Sequence, residues 1–276
     1  MSLDHLYPYA GQHAIQSAVF ALDFANELDL GEISGIRAEA AKLNADFPQQ
    51  TEVQRATFTL QVGPADGQPS SSNVEPDGFQ MVRPAQIGGQ LNSRAVIVNR
   101  TGVVVVVNDY TRWDKFKFDV DRYLSVLLTH VDAQKAVASL GLQFNDIFLW
   151  KADPADLKLK EVFEAGNRYL APNVFESRLP WHSHHGYIEN NKNPVEYQQL
   201  DNVNVSRVAA NAEHQLQILT SHRATLEKPL YKFWSDNKAT VFAIQDSLHT
   251  RNKAILAELL TREAQNKISL SGSEAS

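Results

Sequence analysis

Cysteine is absent from the 276-residue sequence. Disulfides, thiolate-bound zinc, iron–sulfur clusters and a cysteine nucleophile are therefore excluded together. The glycine motifs G-x-x-x-x-G-K-[ST] and G-x-G-x-x-G are also missing, as are the G-x-S-x-G of serine esterases and the H-E-x-x-H of zinc proteases. ATP hydrolysis, dinucleotide binding and serine esterase chemistry through these motifs are therefore excluded as well.

Positive charge is in deficit, with 26 Lys and Arg against 32 Asp and Glu and a net charge of -6. No overall positive field attracts nucleic acid or anionic lipid, so nucleic acid is a disfavoured partner and a basic protein is a better match. The N-terminal residues 1–8 lack a basic segment followed by an apolar one, and no uncharged apolar run approaches the roughly 20 residues that span a bilayer. We expect a cytoplasmic protein with no membrane segment.

The chain does contain strong hydrophobic patterns in its first 150 residues. Ile15 to Phe24 is almost wholly apolar or small, which predicts a central strand. Asp29 is a candidate N-cap for an amphipathic helix that ends before Phe47-Pro48, because the residue before proline is disfavoured in a helix. From Ala56 to Val62 apolar and polar residues alternate, which predicts a strand with one solvated face.

Residues 63–78 combine proline, glycine and serine with few apolar side chains, which predicts a mobile loop. Phe79 to Val82 then predicts a short edge strand. The segments Ala95–Val98 and Gly102–Val107 flank a tight-turn sequence and predict a hairpin.

A second helix is predicted from Thr111, because Asp114 follows at capping-box spacing and apolar residues continue at helical period for five turns. Leu140 to Phe144 alternates with polar residues as in another strand. The order strand, helix, strand, strand, helix, strand predicts an α+β fold for residues 1–150, with an antiparallel ferredoxin-like (βαββαβ) sheet and two packed helices.

Residues 151–268 predict a second β-rich unit that shares the first unit's core or extends its sheet. We expect a short helix around residues 157–163 and a loop-rich stretch over 171–194. Strands at Val203–Ala210 and Gln215–Leu226 and a closing helix up to Leu259 follow. The serine-rich residues 269–276 predict a disordered tail.

The main candidate for chemistry is a histidine cluster, His182, His184 and His185. In an extended segment His182 and His184 point the same way, and two imidazoles on one face can begin a divalent-metal site, with His214 and His222 as further ligands if the fold brings them close. A zinc hydrolase with this motif normally adds an aspartate nearby, but Gly186 and Tyr187 follow here. Exposed loop histidines are the alternative interpretation.

A weaker candidate is Asp156-Leu157-Lys158, which has the Asp-x-Lys spacing of some metal-dependent nucleases, with Asp146 or Asp153 as a second carboxylate. The charged surroundings are more typical of a solvated helix start. Residues 110–116 combine aromatic and basic side chains as nucleic-acid platforms do, but their helical spacing assigns the aromatic ones to the core. We expect His249 to be a packed core histidine.

Three segments carry a family resemblance. Residues 110–116 (YTRWDKF), 140–147 (LGLQFNDI) and 246–249 (DSLH) together resemble a sporadically distributed family of uncharacterised bacterial proteins of similar length, over about Tyr7 to Leu260. Members usually have an Arg-Tyr-like pair where this chain has Gln143-Phe144, so no role of that arginine is carried over. The resemblance implies an α+β fold and a bacterial or phage-borne cytoplasmic protein, and it supplies no catalytic residue.

The intact core pattern beside weak catalytic motifs favours a non-enzymatic protein-interaction subunit or regulator, without a cofactor. The patchy occurrence of the family is like that of bacterial anti-phage defence and toxin–antitoxin systems. Another protein, particularly a basic one, or a second copy of the chain is the expected partner. The alternatives are a metal-dependent hydrolase or nuclease using His182, His184 and His185, and an RNA-binding ferredoxin-like module.

Overall fold

The computed structural model describes residues 3–58, 72–85, 92–177, 179–210 and 213–270. They form an α+β fold dominated by one ten-stranded antiparallel sheet. The strands are β1 (Leu6–Pro8), β2 (Ile15–Phe24), β3 (Gln49–Phe58), β4 (Ser72–Pro84), β5 (Asn92–Asn99), β6 (Gly102–Val107), β7 (Ala136–Trp150), β8 (Trp181–Asn191), β9 (Tyr197–Ala210) and β10 (Glu213–Tyr231). The helices are α1 (Leu30–Ala40), α2 (Trp113–Leu127), α3 (Leu159–Val162), α4 (Lys238–Leu259) and α5 (Arg262–Lys267).

The strand order is β3-β4-β5-β6-β2-β7-β10-β9-β8, and β1 pairs with β7 beside this path. The predicted ferredoxin-like βαββαβ unit is not evident, because four strands rather than two lie between α1 and α2. The sequence pattern does not predict the full β3–β4 pair, because β3 begins with polar residues and residues 75–78 of β4 are typical of a turn. Backbone hydrogen bonds between β3 and β4 hold the two strands, and local strand propensity does not take this pairing into account.

The predicted loop over 63–78 is only partly testable. Residues 63–71 lie outside the described residues, whereas residues 72–78 belong to β4, so the loop prediction is wrong there. Phe79 to Val82 is not an edge strand, because β4 lies between β3 and β5. The hairpin prediction is confirmed, since β5 pairs with β6 across the turn.

The second half continues the same sheet. The first half has the order β2, α1, four strands, α2. The second half repeats it with one strand fewer, as β7, α3, β8, β9, β10, α4, and β2 pairs with β7 at the centre of the sheet. The strands predicted at Val203–Ala210 and Gln215–Leu226 are confirmed within β9 and β10. The prediction of a loop-rich 171–194 is wrong for Trp181–Asn191. This segment is the edge strand β8, held by regular pairing with β9 despite its weak strand propensity.

The helix ends show how local sequence sets boundaries. The Asp29 cap of α1 is confirmed. Asp29 Oδ1 accepts a hydrogen bond from the Glu32 N–H at 2.8 Å, and Glu32 Oε2 accepts one from the Asp29 N–H at 2.8 Å. The predicted Thr111 and Asp114 capping box is wrong, because α2 begins after Arg112 with no side-chain cap bond. Among the described residues no helix is long and apolar enough to cross a membrane.

The apolar core lies on one face of the sheet in two clusters. On β7, Leu140, Leu142 and Phe144 belong to the first cluster and Phe148 and Trp150, on the same face, to the second. The first cluster also receives α1, α2 and the start of α4, and the second receives α3, α5 and the end of α4. The helices therefore cover the same face throughout. Leu270 packs against the second cluster, so the disordered-tail prediction is wrong at its start, and residues 271–276 lie outside the described residues.

Gly102 lies at the turn between β5 and β6, at a point where β6 closely approaches β2. The side-chain oxygen of Asn99 accepts from the N–H groups of Thr101 and Gly102 at 3.1 and 2.9 Å, which fixes the turn. A Cβ on Gly102 would lie 2.2 Å from the carbonyl oxygen of Leu22 on the neighbouring strand. A side chain at this position would therefore force β2 and β6 apart.

We expect Gly102→Ala to lower the free energy of unfolding by about 1–3 kcal/mol, the usual cost of forcing the backbone to shift around an added methyl group. Urea denaturation measures this loss. Gly35→Ala is the matched control, because a Cβ there has its nearest neighbours at 3.9 Å and alanine favours a helix by up to about 1 kcal/mol. Equal effects of the two substitutions would contradict the steric explanation.

Candidate functional site

The face of the sheet opposite the helices is the first candidate site, called here the open face. In the described strands, neither apolar cluster includes a residue from this face. Its side chains alternate with the core residues along each strand and are mostly partly exposed. They include Val19, Val104, Gln143, Asn145, Asn204, Ser206, Gln217 and Ser221.

The open face carries almost no charge. Over β2, β6, β7 and residues 215–225 of β10, the ionisable side chains on this face are Asp23 and Arg223, which pair at 2.9 Å. Amide groups bond across the strands instead, since Asn145 donates to Gln16 at 2.9 Å and accepts from Gln217 at 2.8 Å. The chain's acidic surplus therefore lies elsewhere, and this surface can donate and accept hydrogen bonds without a net field.

The predicted histidine cluster lies at the edge of the sheet. His182 and His184 share the exposed face of β8, as predicted, whereas His185 is on the other face, 3.2 Å from Ser183 Oγ. His184 contacts the Asn202 side chain at 3.5 Å. Within the parts of the chain that the structure describes, no group of three or more His, Asp or Glu residues is placed to hold a metal. The metal site stays a prediction.

The predicted nuclease residues lie in different surroundings. Asp156 and Lys158 are exposed, and Lys158 pairs with Glu161 at 3.6 Å. Asp153 accepts a hydrogen bond from the Ala155 N–H and so begins a short helical turn. Asp146, in contrast, is 1 % exposed on the core side of β7. Asp146 is therefore buried, whereas Asp156 and Lys158 are in solvent.

Asp146 interrupts the core pattern of β7 at the junction of the two apolar clusters. Its Oδ2 has no hydrogen-bond partner among the described residues. Burial raises the pKa of Asp146 to about 7, because the charged form loses its hydration. The burial of Asp146 could be recognised in the sequence, because Asp146 follows Leu140, Leu142 and Phe144 at the next alternate position, where an apolar residue is expected.

Asp146 lines a cavity of about 350 Å³ between the start of α2, the middle of α4 and the C-terminal residues 268–270. His13 also lines it, and His13 Nδ1 has no partner among the described residues. Burial lowers the pKa of His13, and hydrogen bonds between its ring and the backbone of Tyr110 and Ile15 oppose this shift. The aromatic lining consists of Tyr110, Trp113, Phe144 and His249, and Arg112, Asn252 and Lys253 add polar groups.

The aromatic wall of this cavity is rigid. Trp113 and His249 are stacked, with ring centroids 4.0 Å apart and planes 8° from parallel, and Trp113 Nε1 donates to Asp246 at 2.7 Å. The predicted packing of His249 is confirmed in part, because its ring stacks on Trp113 but is only half-buried and lines the cavity. Burial, then the charge of Lys253, lowers the pKa of His249 to about 4 against the opposing charges of Asp246 and Asp114, so the ring is neutral at pH 7.

A buried polar network adjoins the cavity through Asn252. Asp201 accepts from His222 Nδ1 at 2.7 Å, from Gln199 at 2.7 Å and from Arg251 at 2.6 Å. Although burial opposes it, the bonds from His222 and Gln199 hold the pKa of Asp201 below its usual value. The sequence suggests His222 only as a metal ligand, because its pairing with Asp201 depends on the register of β9 and β10.

No protein-family model matches this chain, and a search of curated proteins finds no match either. The resemblance to the sporadically distributed bacterial family therefore stays a prediction.

Proposed function

We propose that the protein is a non-catalytic protein-interaction subunit that binds another protein through the open face. The observation that carries this proposal is the placement of the helices on one face of a sheet whose other face is left to solvent in the described residues. A cytoplasmic location and a role in anti-phage defence or toxin neutralisation belong to the same proposal, and they rest on the sequence resemblance alone.

The size of the open face suits a stable interface. Nine adjacent strands at about 4.8 Å spacing extend over roughly 40 Å, and six residues along each strand add about 20 Å. The resulting area of roughly 800 Å² equals the share of one partner in a standard protein–protein interface.

The composition of the open face favours a different protein over a second copy. Permanent homodimer interfaces are more apolar than other protein surfaces, whereas Gln143, Asn145, Asn204 and Gln217 place amides in the middle of this face. Over β2, β6, β7 and residues 215–225 of β10, the one cationic side chain of this face, Arg223, is paired with Asp23, which disfavours contacts with phosphate groups. We therefore expect an uncharged polar surface on the partner rather than a basic one.

The test is to introduce charge at the centre of the open face. We expect the double variant Gln143→Lys, Ser221→Lys to weaken a reconstituted complex at least about tenfold, because each lysine would be desolvated without a counter-ion. A partner captured from source cells is first purified, and its binding to the isolated protein is then measured by calorimetry. Ala254→Lys, at an exposed position on α4, is the matched control and leaves affinity unchanged.

Three results would overturn the proposal. The first is equal binding of the purified partner to the double variant and to the wild type. The second is a homodimer, seen by light scattering, that the double variant dissolves. The third is salt-sensitive RNA binding that the same substitutions alter.

A further inference from the structure

We propose that the cavity beside Asp146 binds a neutral, planar nitrogen heterocycle through adjacent ring N–H and amino groups, and that the ligand carries an anionic substituent. This site is separate from the open face, since Asp146 and Phe144 project from the helix-covered side of β7. The ligand class follows from four features of the lining.

The first feature is the unsatisfied acid at the base of the cavity. A buried carboxyl group whose Oδ2 has no partner is unfavourable unless a ligand supplies a donor. A carboxylate accepts two parallel hydrogen bonds from a planar group with neighbouring N–H donors, as it does from a guanidinium.

The second feature is the shape and size of the cavity. A volume of about 350 Å³ lies at the lower end of the range for small-molecule sites, roughly 300–1,000 Å³. Tyr110, Trp113, Phe144 and His249 give the cavity an aromatic lining, in which Trp113 is held by stacking on His249 and Phe116. Aromatic side chains pack against heterocyclic rings with little dependence on the substituents of the ring.

The third feature is the balance of charge around the cavity. Burial is the largest cause that lowers the pKa of His249; Lys253 and Lys117 also lower it, whereas Asp246 and Asp114 raise it. Lys117 is in addition paired with Asp246 at 2.8 Å. A ring without net charge fits these balanced surroundings.

The fourth feature is the uncapped start of α2. The first bond within the helix runs from the Phe116 N–H to the Arg112 carbonyl, which leaves the N–H groups of residues 113–115 without helical partners. Thr111, Arg112 and Trp113 line the cavity, and no side chain caps the helix. A phosphate or carboxylate group of the ligand can bind there, assisted by Arg112.

The 2-amino-4-oxopyrimidine edge satisfies these requirements, and guanine and pterin rings share it. GMP and pterin-6-carboxylate are therefore the two probes, measured by isothermal titration calorimetry on the full chain. We expect at least one of them to bind, with the tighter of the two identifying the ring system. AMP, which lacks adjacent N–H and amino donors on its edge, is expected to bind at least about tenfold more weakly than GMP.

Variants of the chain assign the contacts. Asp146→Leu is expected to weaken binding about 100-fold, since it removes two hydrogen bonds to a charged acceptor. Arg112→Gln should weaken GMP about tenfold and leave guanosine, which has no phosphate, unaffected. Lys160→Ala, at an exposed position on α3, is the control and should change neither affinity.

The proposal is overturned if neither probe binds at about 1 mM, or if Asp146→Leu binds as tightly as the wild type. Equal affinity for AMP and GMP would overturn the assigned hydrogen-bonding edge. The double variant Gln143→Lys, Ser221→Lys changes only the open face and should bind the probes as tightly as the wild type. The proposed ligand and the proposed protein partner can therefore be tested separately.

Discussion

Asp146→Leu is expected to raise the free energy of unfolding at pH 8 by about 2–4 kcal/mol. In the folded protein burial raises the pKa of Asp146 to about 7, against an unfolded value near 3.8. Each unit of difference corresponds to about 1.36 kcal/mol of preference for the protonated form. At pH 8 the folded state holds the charged carboxylate in its buried position, and leucine removes this cost.

The sign of the effect gives a characteristic pH dependence. Between about pH 4 and 7 the folded state binds more protons at Asp146 than the unfolded state, so this residue's contribution to stability falls as pH rises. The advantage of Asp146→Leu over the wild type should therefore grow across that interval and stay constant above it. Urea denaturation at pH 4.5, 6 and 8 measures the difference directly.

Asp146→Asn and Asp156→Asn are the matched pair of controls. The first also removes the titration but keeps a polar group, so it should show the same pH dependence with a smaller gain. The second changes an exposed aspartate and should shift stability by less than about 0.5 kcal/mol at each pH. A pH-independent difference between Asp146→Leu and the wild type would show that Asp146 does not titrate as described.

Asp201→Ala is expected to have the opposite effect and to lower the free energy of unfolding by about 3–5 kcal/mol. Its two oxygens accept from His222, Gln199 and Arg251, and all three donors lose a buried partner when the carboxylate is removed. Thermal and urea unfolding at pH 7 measure the loss.

Glu189→Ala separates the buried network from the surface ion pair. Glu189 is the other partner of Arg251, at 2.9 Å, but it is exposed at the edge of the sheet. Exposed pairs contribute about 0–1 kcal/mol, so this variant should stay close to the wild type. A similar loss in both variants would place the stabilisation in Arg251 itself rather than in the contacts of Asp201.

Local sequence patterns predicted the elements that depend on near neighbours. The strand predicted from Ile15 to Phe24 has those bounds in the structure, and the β5–β6 hairpin forms around Asn99 as its turn composition indicates. In these segments the period of apolar residues and the turn chemistry specify the same structure. The patterns do not predict the start of β3, residues 72–78 of β4 or β8, where polar residues are held by pairing with a neighbouring strand.

The candidate sites depend more strongly on the order of the strands. The alternation of Gln143 and Asn145 with core residues is visible in the sequence, but the continuity of the open face requires β2, β7, β10 and β9 to be adjacent. The contact of His222 with Asp201 likewise needs the observed register. The Asp-x-Lys spacing suggests Asp146 only as a second carboxylate of a nuclease site, although an acid in a core position of a strand is itself an indication of function.

The pairing of β2 with β7 at the centre of the sheet has a consequence for how the chain folds. β7 pairs with β2 on one side and with β10 on the other, so neither half of the chain completes its hydrogen bonding without this single segment. Pairing Ala18 with Phe144 closes a loop of more than one hundred residues, an entropic cost that local helices do not share. Assembly of the two halves is therefore a late, all-or-none event rather than the docking of finished modules.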